Sequence, residues 1–287
     1  MRPSAGPPAA ATPLPVSTIA AARAAAPELR ILDVGEPAEF ASGHPAGAGR
    51  LTPAEFGPQR MELPAREAPV LVVHEDPDHS RAAALQLASR GFERVQWLAV
   101  PLDREPEGRS SIEPAARLWS PSPFVERAVR HRPPRRALDL ACGSGRAAVF
   151  LALAGWRAEG WDVDPSALDR ARAFAARQQA NVQFREVDLE GAPPALPDPP
   201  FDLIVVVRYL HRPLFPWIER ALAPGGVLAY ETFRDGQQRF GPPRREQHLL
   251  RAGELLTAFP ALAVELHEDS PGGKPPLLSR LVARRPG

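Results

Sequence analysis

The sequence predicts an α/β protein of two domains, and three observations carry that prediction. The chain has 287 residues, long for one ordinary domain and sufficient for two, each with its own core. From Arg136 onward, apolar strand-like runs alternate with helical stretches, the pattern of a doubly wound parallel sheet with helices on both faces. Between Leu29 and Val100 a shorter α/β alternation stands apart, and seven prolines follow it between Pro101 and Pro134. The expected division is a disordered leader over 1–15, a small α/β domain over 16–100, a linker over 101–117 and a larger domain over 118–287.

The elements follow in order. The leader is rich in proline and alanine, a composition that buries too little apolar surface to hold a fold. Thr18 is placed to cap a short alanine helix ending near Pro27. A strand "LRILDV", a short helix around "PAEFA", a strand Val70–Val73, a helix Ser80–Ser89 and a last apolar run "RVQWLAV" complete the first domain. Between that second strand and its helix lies a loop, His74-Glu75-Asp76-Pro77-Asp78-His79, with acids where a helix N-terminus would otherwise suit an anion. "SPSPFVERAV" suggests a helix capped by Ser122. Strands "RALDLA", "RAEGWDV", "VQFREVD", "FDLIVVV" and "GGVLAYETF" then alternate with helices "AAVFLALAG", "PSALDRARAFAARQ" and "LFPWIERAL". Two strand-like runs about a Ser-Pro-Gly-Gly turn close the chain as an antiparallel hairpin.

Composition narrows the classes of function. Lys+Arg 35 against Asp+Glu 34 leaves a net charge of +1, so no global basic field draws nucleic acid. Cys142 is the single cysteine, which excludes an intrachain disulfide or cysteine-cluster metal site and suits a reducing compartment. No signal-peptide core is present, and no stretch reaches the roughly 18 apolar residues of a membrane span. The expectation is a cytoplasmic protein with no membrane partner and no metal.

Chemistry concentrates after the strand "RALDL". Asp139 lies at its end, Cys142-Gly143-Ser144-Gly145 form a turn, and a helix follows; glycines there let backbone approach a ligand. Asp162 ends the next strand roughly 20 residues later, where a doubly wound fold places a carboxylate on ribose hydroxyls. Ala148 stands where a dinucleotide site would have its third glycine. Asp139 would also place negative charge beside a pyrophosphate, so a ligand bearing an ammonium group suits it better.

The ordered segments "DLACGSGR", "GWDVDPSAL", "FREVDLE", "FDLIVVVRYLHR" and "LAPGGVLAYETF" resemble the motifs of a class I S-adenosylmethionine-dependent methyltransferase, over roughly Leu118 to Arg285. Within that family the chain is most similar to the tellurite-resistance and thiopurine-type subgroup. The resemblance implies a seven-stranded, Rossmann-like sheet with a reversed last strand and S-adenosylmethionine as cofactor. It implies that Asp139 and the backbone of Ala141, Cys142, Gly143 and Gly145 face the methionyl end. Asp162 would bind the ribose, Val163 would pack on adenine, Asp188 and Leu189 would hold the adenine edge, and Val206 and Val207 would floor the sulfonium. Arg208, Tyr209, His211 and Arg212 follow the "FDLIVVV" strand and are the candidates for the acceptor mouth. There two arginines would draw an oxyanion or thiolate, and His211 could take a proton. The expected reaction is methyl transfer to a small soft nucleophile, a thiol or chalcogen oxyanion. Methylation of RNA or protein through Arg239, Arg244, Arg245 and Arg251 is the alternative, as is a non-catalytic cofactor-binding protein. For Trp119 and Phe124, lying over the cofactor and packing in the core are both open.

The first domain, through "ILDVGEPAEFASGHPAGA" and "VLVVHEDPDHSRAAALQLASRGF", resembles a rhodanese-like (sulfurtransferase) domain over Thr18 to Val100. In an active member the loop after the second strand begins with a nucleophilic cysteine. Here His74 takes that place, Gly35 replaces an arginine, and the domain contains no cysteine, so persulfide chemistry is excluded. A metal held by His74, Asp78 and His79 is conceivable, but a solvated turn is the expectation. The domain is expected to dock a partner, to dimerise or to present substrate.

Overall fold

The computed structural model describes residues 12–271 and 275–287, which fall into two compact units, Met1–Ser120 and Pro121–Gly287. Most of the expected leader and part of the final turn lie outside the described residues.

In the first unit five parallel strands, β1 (Leu14–Val16), β2 (Arg30–Asp33), β3 (Ala48–Arg50), β4 (Val70–Val73) and β5 (Val95–Leu98), form a sheet of order β1-β5-β4-β2-β3. The β1 strand begins inside the segment expected as a leader, because Leu14–Val16 pair in parallel with Gln96–Leu98. Helix α1 (Ile19–Ala25) is capped by the Thr18 hydroxyl, which accepts from the Ala21 N–H. Helix α2 (Pro37–Ala41) packs Phe40 beneath the sheet, and α3 (Pro77–Ser89) lies on the other face.

Residues 101–117, expected as a linker, belong to this unit, and so do residues 118–120, expected in the second domain. His44 and Ser111 exchange two backbone hydrogen bonds, Ala116 donates to the Ala48 carbonyl, and Leu118 is buried in the core under β4. The buried Glu105 carboxylate accepts from the Ile19 N–H at 3.2 Å. After a 3-10 helix at Leu102–Arg104, the segment reaches β3 as a strap at Ala116 and Leu118 rather than as a free connection, since proline suits extended backbone as well as a linker. Gly49 makes the close approach possible, as a Cβ there would lie 2.4 Å from Leu118 Cγ and 2.5 Å from the Ala116 carbonyl oxygen. Replacing Gly49 with alanine should therefore cost about 1–3 kcal/mol through overpacking, read as a lower denaturation midpoint of the first unit.

The second unit is a seven-stranded sheet of order β11-β12-β10-β9-β6-β7-β8. Its strands are β6 (Arg136–Leu140), β7 (Arg157–Asp162), β8 (Val182–Glu186), β9 (Phe201–Val207), β10 (Leu222–Phe233), β11 (Ala263–Asp269) and β12 (Leu278–Arg284). All neighbours are parallel except β12, which runs antiparallel to both β10 and β11. The reversed last strand expected from the terminal hairpin is thus present. Helices α4 (Pro123–Val129), α5 (Arg146–Leu153) and α6 (Pro165–Arg177) join α7 (Phe215–Ala221) and α8 (Glu254–Ala258) around the sheet. One apolar cluster joins Leu138, Leu140, Ile204 and Val206 to Phe215, Trp217 and Phe259, and a second joins Ala137, Leu203 and Val205 to Phe124, Val125 and Leu151. The two clusters cover opposite faces of the sheet, as strand alternation requires. Helix starts share one device: Ser122 and Asp164 accept from the N–H two residues on, and proline follows each of them. The cap satisfies a free N–H, and proline tolerates the first helical turn. Among the described residues no helix is long and apolar enough to cross a membrane.

Candidate functional site

The carboxyl ends of β6, β7 and β9 converge on one turn. After Leu140 the chain adopts left-handed backbone at Ala141 (φ 56°), Gly143 (φ 52°) and Gly145 (φ 78°) before entering α5. The turn is tied down from β7, where the Trp161 carbonyl accepts from the Cys142 N–H at 2.9 Å. The Asp162 carboxylate closes it, accepting from the Gly143 N–H at 2.7 Å and from the Asp164 N–H at 3.0 Å. Gly145 also permits close packing, since a Cβ would lie 2.9 Å from Ala171 Cβ.

Asp139 is 2 % exposed and accepts from the Ala148 N–H at 2.9 Å. Burial pushes its carboxyl up to about 7; the Ala148 hydrogen bond opposes the shift and the Asp162 charge adds to it. Cys142 lies beneath the turn, half-buried, and burial pushes its thiol up as well, so it stays protonated and inert. Val163 is 57 % exposed beside Asp162, an apolar side chain offered to solvent. Asp188 is exposed and accepts from the N–H groups of Glu190 and Gly191, while Leu189 turns into the core. Only the backbone of Leu189 can therefore face an adenine edge.

The structure separates two residues that the sequence groups together. Val206 and Val207 are consecutive on β9, so their side chains leave opposite faces: Val206 enters one core cluster and Val207 packs on the other. They cannot both floor one cleft.

At the mouth, Arg208 is exposed with left-handed backbone (φ 58°), and its N–H donates to the Glu231 carbonyl at 2.7 Å. Its guanidinium lies 5.8 Å from the Phe233 ring centroid and makes no ion pair among the described residues. Arg212 is differently placed. It forms a two-pronged pair with Glu254 at 2.5 and 2.9 Å and donates to the carbonyls of Gln247 and Leu249. With four of its five N–H donors used, Arg212 pins the segment over which it lies and has little left for an acceptor. The Tyr209 hydroxyl is buried with no hydrogen-bond partner, and burial together with the charges of Glu190, Asp188 and Asp162 raises its pKa. Asp162 ends β7, and Asp188 and Glu190 follow β8. His211 lines a cavity of about 180 Å³ with Glu190, Arg212 and His248. Arg244 and Arg245 are exposed, and Trp119 and Phe124 are both core residues, 2 and 3 % exposed.

One group escaped the sequence reading. Glu231 is 2 % exposed on β10, accepts from the Ser122 hydroxyl at 2.7 Å and pairs with Arg280 at 2.6 Å. A lone glutamate near the end of the apolar run "GGVLAYETF" was the available signal.

Comparison with known proteins decides the family. A methyltransferase domain matches residues 137–226, and a rhodanese-like domain matches residues 17–100. Residues 17–100 are thus a rhodanese-like domain and residues 137–226 a methyltransferase domain. The ribosomal protein L11 methyltransferase of Thermus thermophilus is 44 % identical over 101 residues, which are 34 % of this chain and 39 % of that protein. An uncharacterized methyltransferase of Synechocystis is 34 % identical over 122 residues, 39 % of this chain and 53 % of the relative. The chain thus spans about half or less of the length of these relatives. Among solved structures, TehB from Haemophilus influenzae aligns with TM-score 0.48 and 17 % identity over 56 % of this chain and 61 % of that one. The N-methyltransferase NodS from Bradyrhizobium japonicum, in complex with S-adenosyl-L-homocysteine, aligns with TM-score 0.47 and 24 % identity over 57 and 89 %.

The residues of the methyltransferase domain fit S-adenosylmethionine. A Cβ at Gly143 would meet nothing within 4 Å, so the turn leaves open space above its own backbone. A carboxylate suited to a ribose, an exposed valine suited to a base and a buried acid suited to an ammonium surround it.

The rhodanese-like domain begins its third helix earlier than the sequence reading places it. Helix α3 starts at Pro77, because Asp76 caps it by accepting from the Asp78 N–H at 2.9 Å. The loop therefore shrinks to His74, Glu75 and Asp76. His74 stacks on His79 with centroids 4.3 Å apart and accepts from the Asp76 N–H, and Glu75 pairs with Arg109 at 2.6 Å. The place of a nucleophile is filled by paired side chains, and no metal-holding group of three ligands occurs among the described residues.

Proposed function

We propose that the protein transfers a methyl group from S-adenosylmethionine to a small nucleophile that carries or develops negative charge, a thiol or chalcogen oxyanion. The observation that carries this reading is the turn over β6, closed by Asp162 on the Gly143 N–H at 2.7 Å and open above Gly143. S-adenosylmethionine supplies an activated methyl and its own leaving group, so the protein needs chiefly to hold the acceptor in line and exclude water. Asp162 would accept from the ribose hydroxyls, Val163 would pack on the base, and Asp188 with the Leu189 backbone would face its edge. Tyr209, with its buried hydroxyl without a hydrogen-bond partner, is better suited to the cofactor than to the acceptor. Arg208 would then bind the acceptor's charge, and His211 would take a thiol proton.

Left-handed backbone at a non-glycine residue costs about 1–2 kcal/mol and is retained where the surroundings impose it. At Arg208 it accompanies a cation that makes no ion pair among the described residues, at the end of β9. Replacing Arg208 with glutamine should raise the acceptor KM about tenfold with cofactor affinity unchanged, as measured by steady-state kinetics and calorimetry. Equal loss in both would move Arg208 to the cofactor.

A second reading, methylation of a protein, draws support from the ribosomal protein L11 methyltransferases among the relatives, 34 to 44 % identical over the matched segments. Methyl-labelled S-adenosylmethionine incubated with a cell extract separates the two. Label in the volatile and low-mass fraction supports the small acceptor, and label precipitating with protein replaces it. The rhodanese-like domain, without a nucleophile, would serve as a docking or dimerising module.

A further inference from the structure

We infer that the amino-terminal ends of the strands in the methyltransferase domain form a polyanion-binding surface that fits the phosphate backbone of an RNA strand. Strands β6 and β7 begin on Arg136 and Arg157, which are direct partners in register, and the Arg135 carbonyl accepts from the Arg157 N–H at 2.7 Å. Three guanidinium side chains thus leave from neighbouring points on two strands. Strand β12 runs the other way and brings Arg284 to the same end, opposite Val227.

Two clefts open there. One, of about 350 Å³, is lined by Arg132, Arg135 and Arg284 with Asp202; the other, of about 390 Å³, by Arg136, Arg157 and Arg185 with Glu159. The carboxylates are too few for these six arginines. Glu159 is shared between Arg136 at 2.7 Å and Arg185 at 3.6 Å. Glu265 is shared between Arg132 and Arg284, each at 2.5 Å, and Asp202 stands 3.7 Å from an Arg135 side chain that is 68 % exposed. Arg157 is exposed and makes no ion pair among the described residues.

Like charges directly opposite one another on neighbouring strands are destabilising, so this arrangement gains from a ligand that brings negative charge. The far end of the same strands holds Asp139, Asp162 and Asp188, which would repel such a ligand. An extended polyanion, unlike a small acceptor that reaches Arg208, would have to lie along these acids, so the arginine end suits it better.

The choice of RNA over an acidic protein follows from the lining. Protein interfaces are anchored by large apolar or aromatic side chains in pockets, whereas Trp156, the aromatic residue of the first cleft, is only 6 % exposed. Phosphate contacts need no such anchor, and the guanidinium fork matches a phosphate's paired oxygens.

The test is fluorescence anisotropy of a fluorescein-labelled 20-nucleotide single-stranded RNA with the full chain between 50 and 200 mM salt. Four phosphate contacts would give a log–log salt slope of about −3. The double variant R135Q/R157Q, at two exposed positions, should bind about tenfold more weakly and with a slope shallower by about 1.4, two contacts at about 0.7 each. Calorimetry should show its S-adenosylmethionine affinity unchanged. R244Q/R245Q should bind RNA like the parent. Absence of salt-dependent binding, full affinity in R135Q/R157Q, or loss confined to R244Q/R245Q would each overturn the assignment. Equally tight binding of a poly-glutamate peptide of matched charge would overturn it in favour of an acidic protein. None of these outcomes depends on methyl transfer, so the surface and the proposed reaction fail separately.

Discussion

Replacing Asp162 with alanine is expected to weaken S-adenosylmethionine binding by two orders of magnitude or more, the largest effect of any single substitution at the site. The carboxylate already accepts from the Gly143 and Asp164 N–H groups at 2.7 and 3.0 Å. An ionised carboxylate offers about four lone-pair positions, so it can hold the turn and still accept from a ribose diol. Each hydrogen bond to a charged group contributes about 1.5–3 kcal/mol, and a tenfold change in affinity corresponds to about 1.4 kcal/mol. Loss of two such bonds to the ligand therefore accounts for a factor of about 100 or more. Release of the Gly143 N–H should add to it, because the turn would no longer be held in its open form. The measurement is titration calorimetry with S-adenosylmethionine and with S-adenosyl-L-homocysteine. Asp162→Asn is the finer probe, since the amide keeps one acceptor oxygen and is expected to fall between the parent and alanine. An affinity within about threefold of the parent in Asp162→Ala, with the fold intact by thermal unfolding, would remove Asp162 from the cofactor site.

Much of the architecture was legible because it rests on local signals. The strand–turn–helix around Gly143, the N-caps at Thr18 and Ser122, and the closing hairpin each depend on residues close together in the chain. What escaped depends on contacts distant in sequence or on a finer reading of local chemistry. Arg212 reads as an acceptor ligand because nothing near it in the chain accounts for its charge; its partner Glu254 lies on α8, on the far side of the "QRFGPPRREQHLLR" segment. Residues 101–117 read as a linker because proline marks both free connections and extended straps, and only Gly49 and Leu118 in contact decide which one is present. The start of α3 was misplaced for a local reason, since Asp76-Pro77 is itself a helix-start signal. The division of Val206 from Val207 could likewise have been read from period-two alternation alone. Buried Glu231 was passed over because a single acid in an apolar strand carries no pattern until Ser122 and Arg280 are seen on either side of it.

Asp139 should make both the stability of the protein and its affinity for cofactor depend on pH, in opposite directions. In an unfolded chain an aspartate titrates near 3.8, whereas in the fold burial holds this one at about 7. The folded state thus favours the protonated form. The resulting stabilisation is complete below pH 4 and is lost as the pH rises through 7, a total on the order of 4 kcal/mol by linkage. Chemical denaturation between pH 5 and 8 should show the ligand-free protein losing stability over that range, and Asp139→Asn, which cannot ionise, should flatten that part of the curve. Binding runs the other way. The ammonium group of S-adenosylmethionine is paired best by an ionised carboxylate, so affinity should rise up to about tenfold per pH unit below 7 and level off above it. The Asp139→Asn variant should bind more weakly at pH 8 and lose this rise. Parallel curves for the parent and Asp139→Asn in both measurements would mean that the buried acid serves only the turn into α5, through its bond to the Ala148 N–H. Divergence in both would tie a single carboxyl to the balance between a fold that prefers it neutral and a ligand that prefers it charged, which is how a binding site can be kept at some expense to stability.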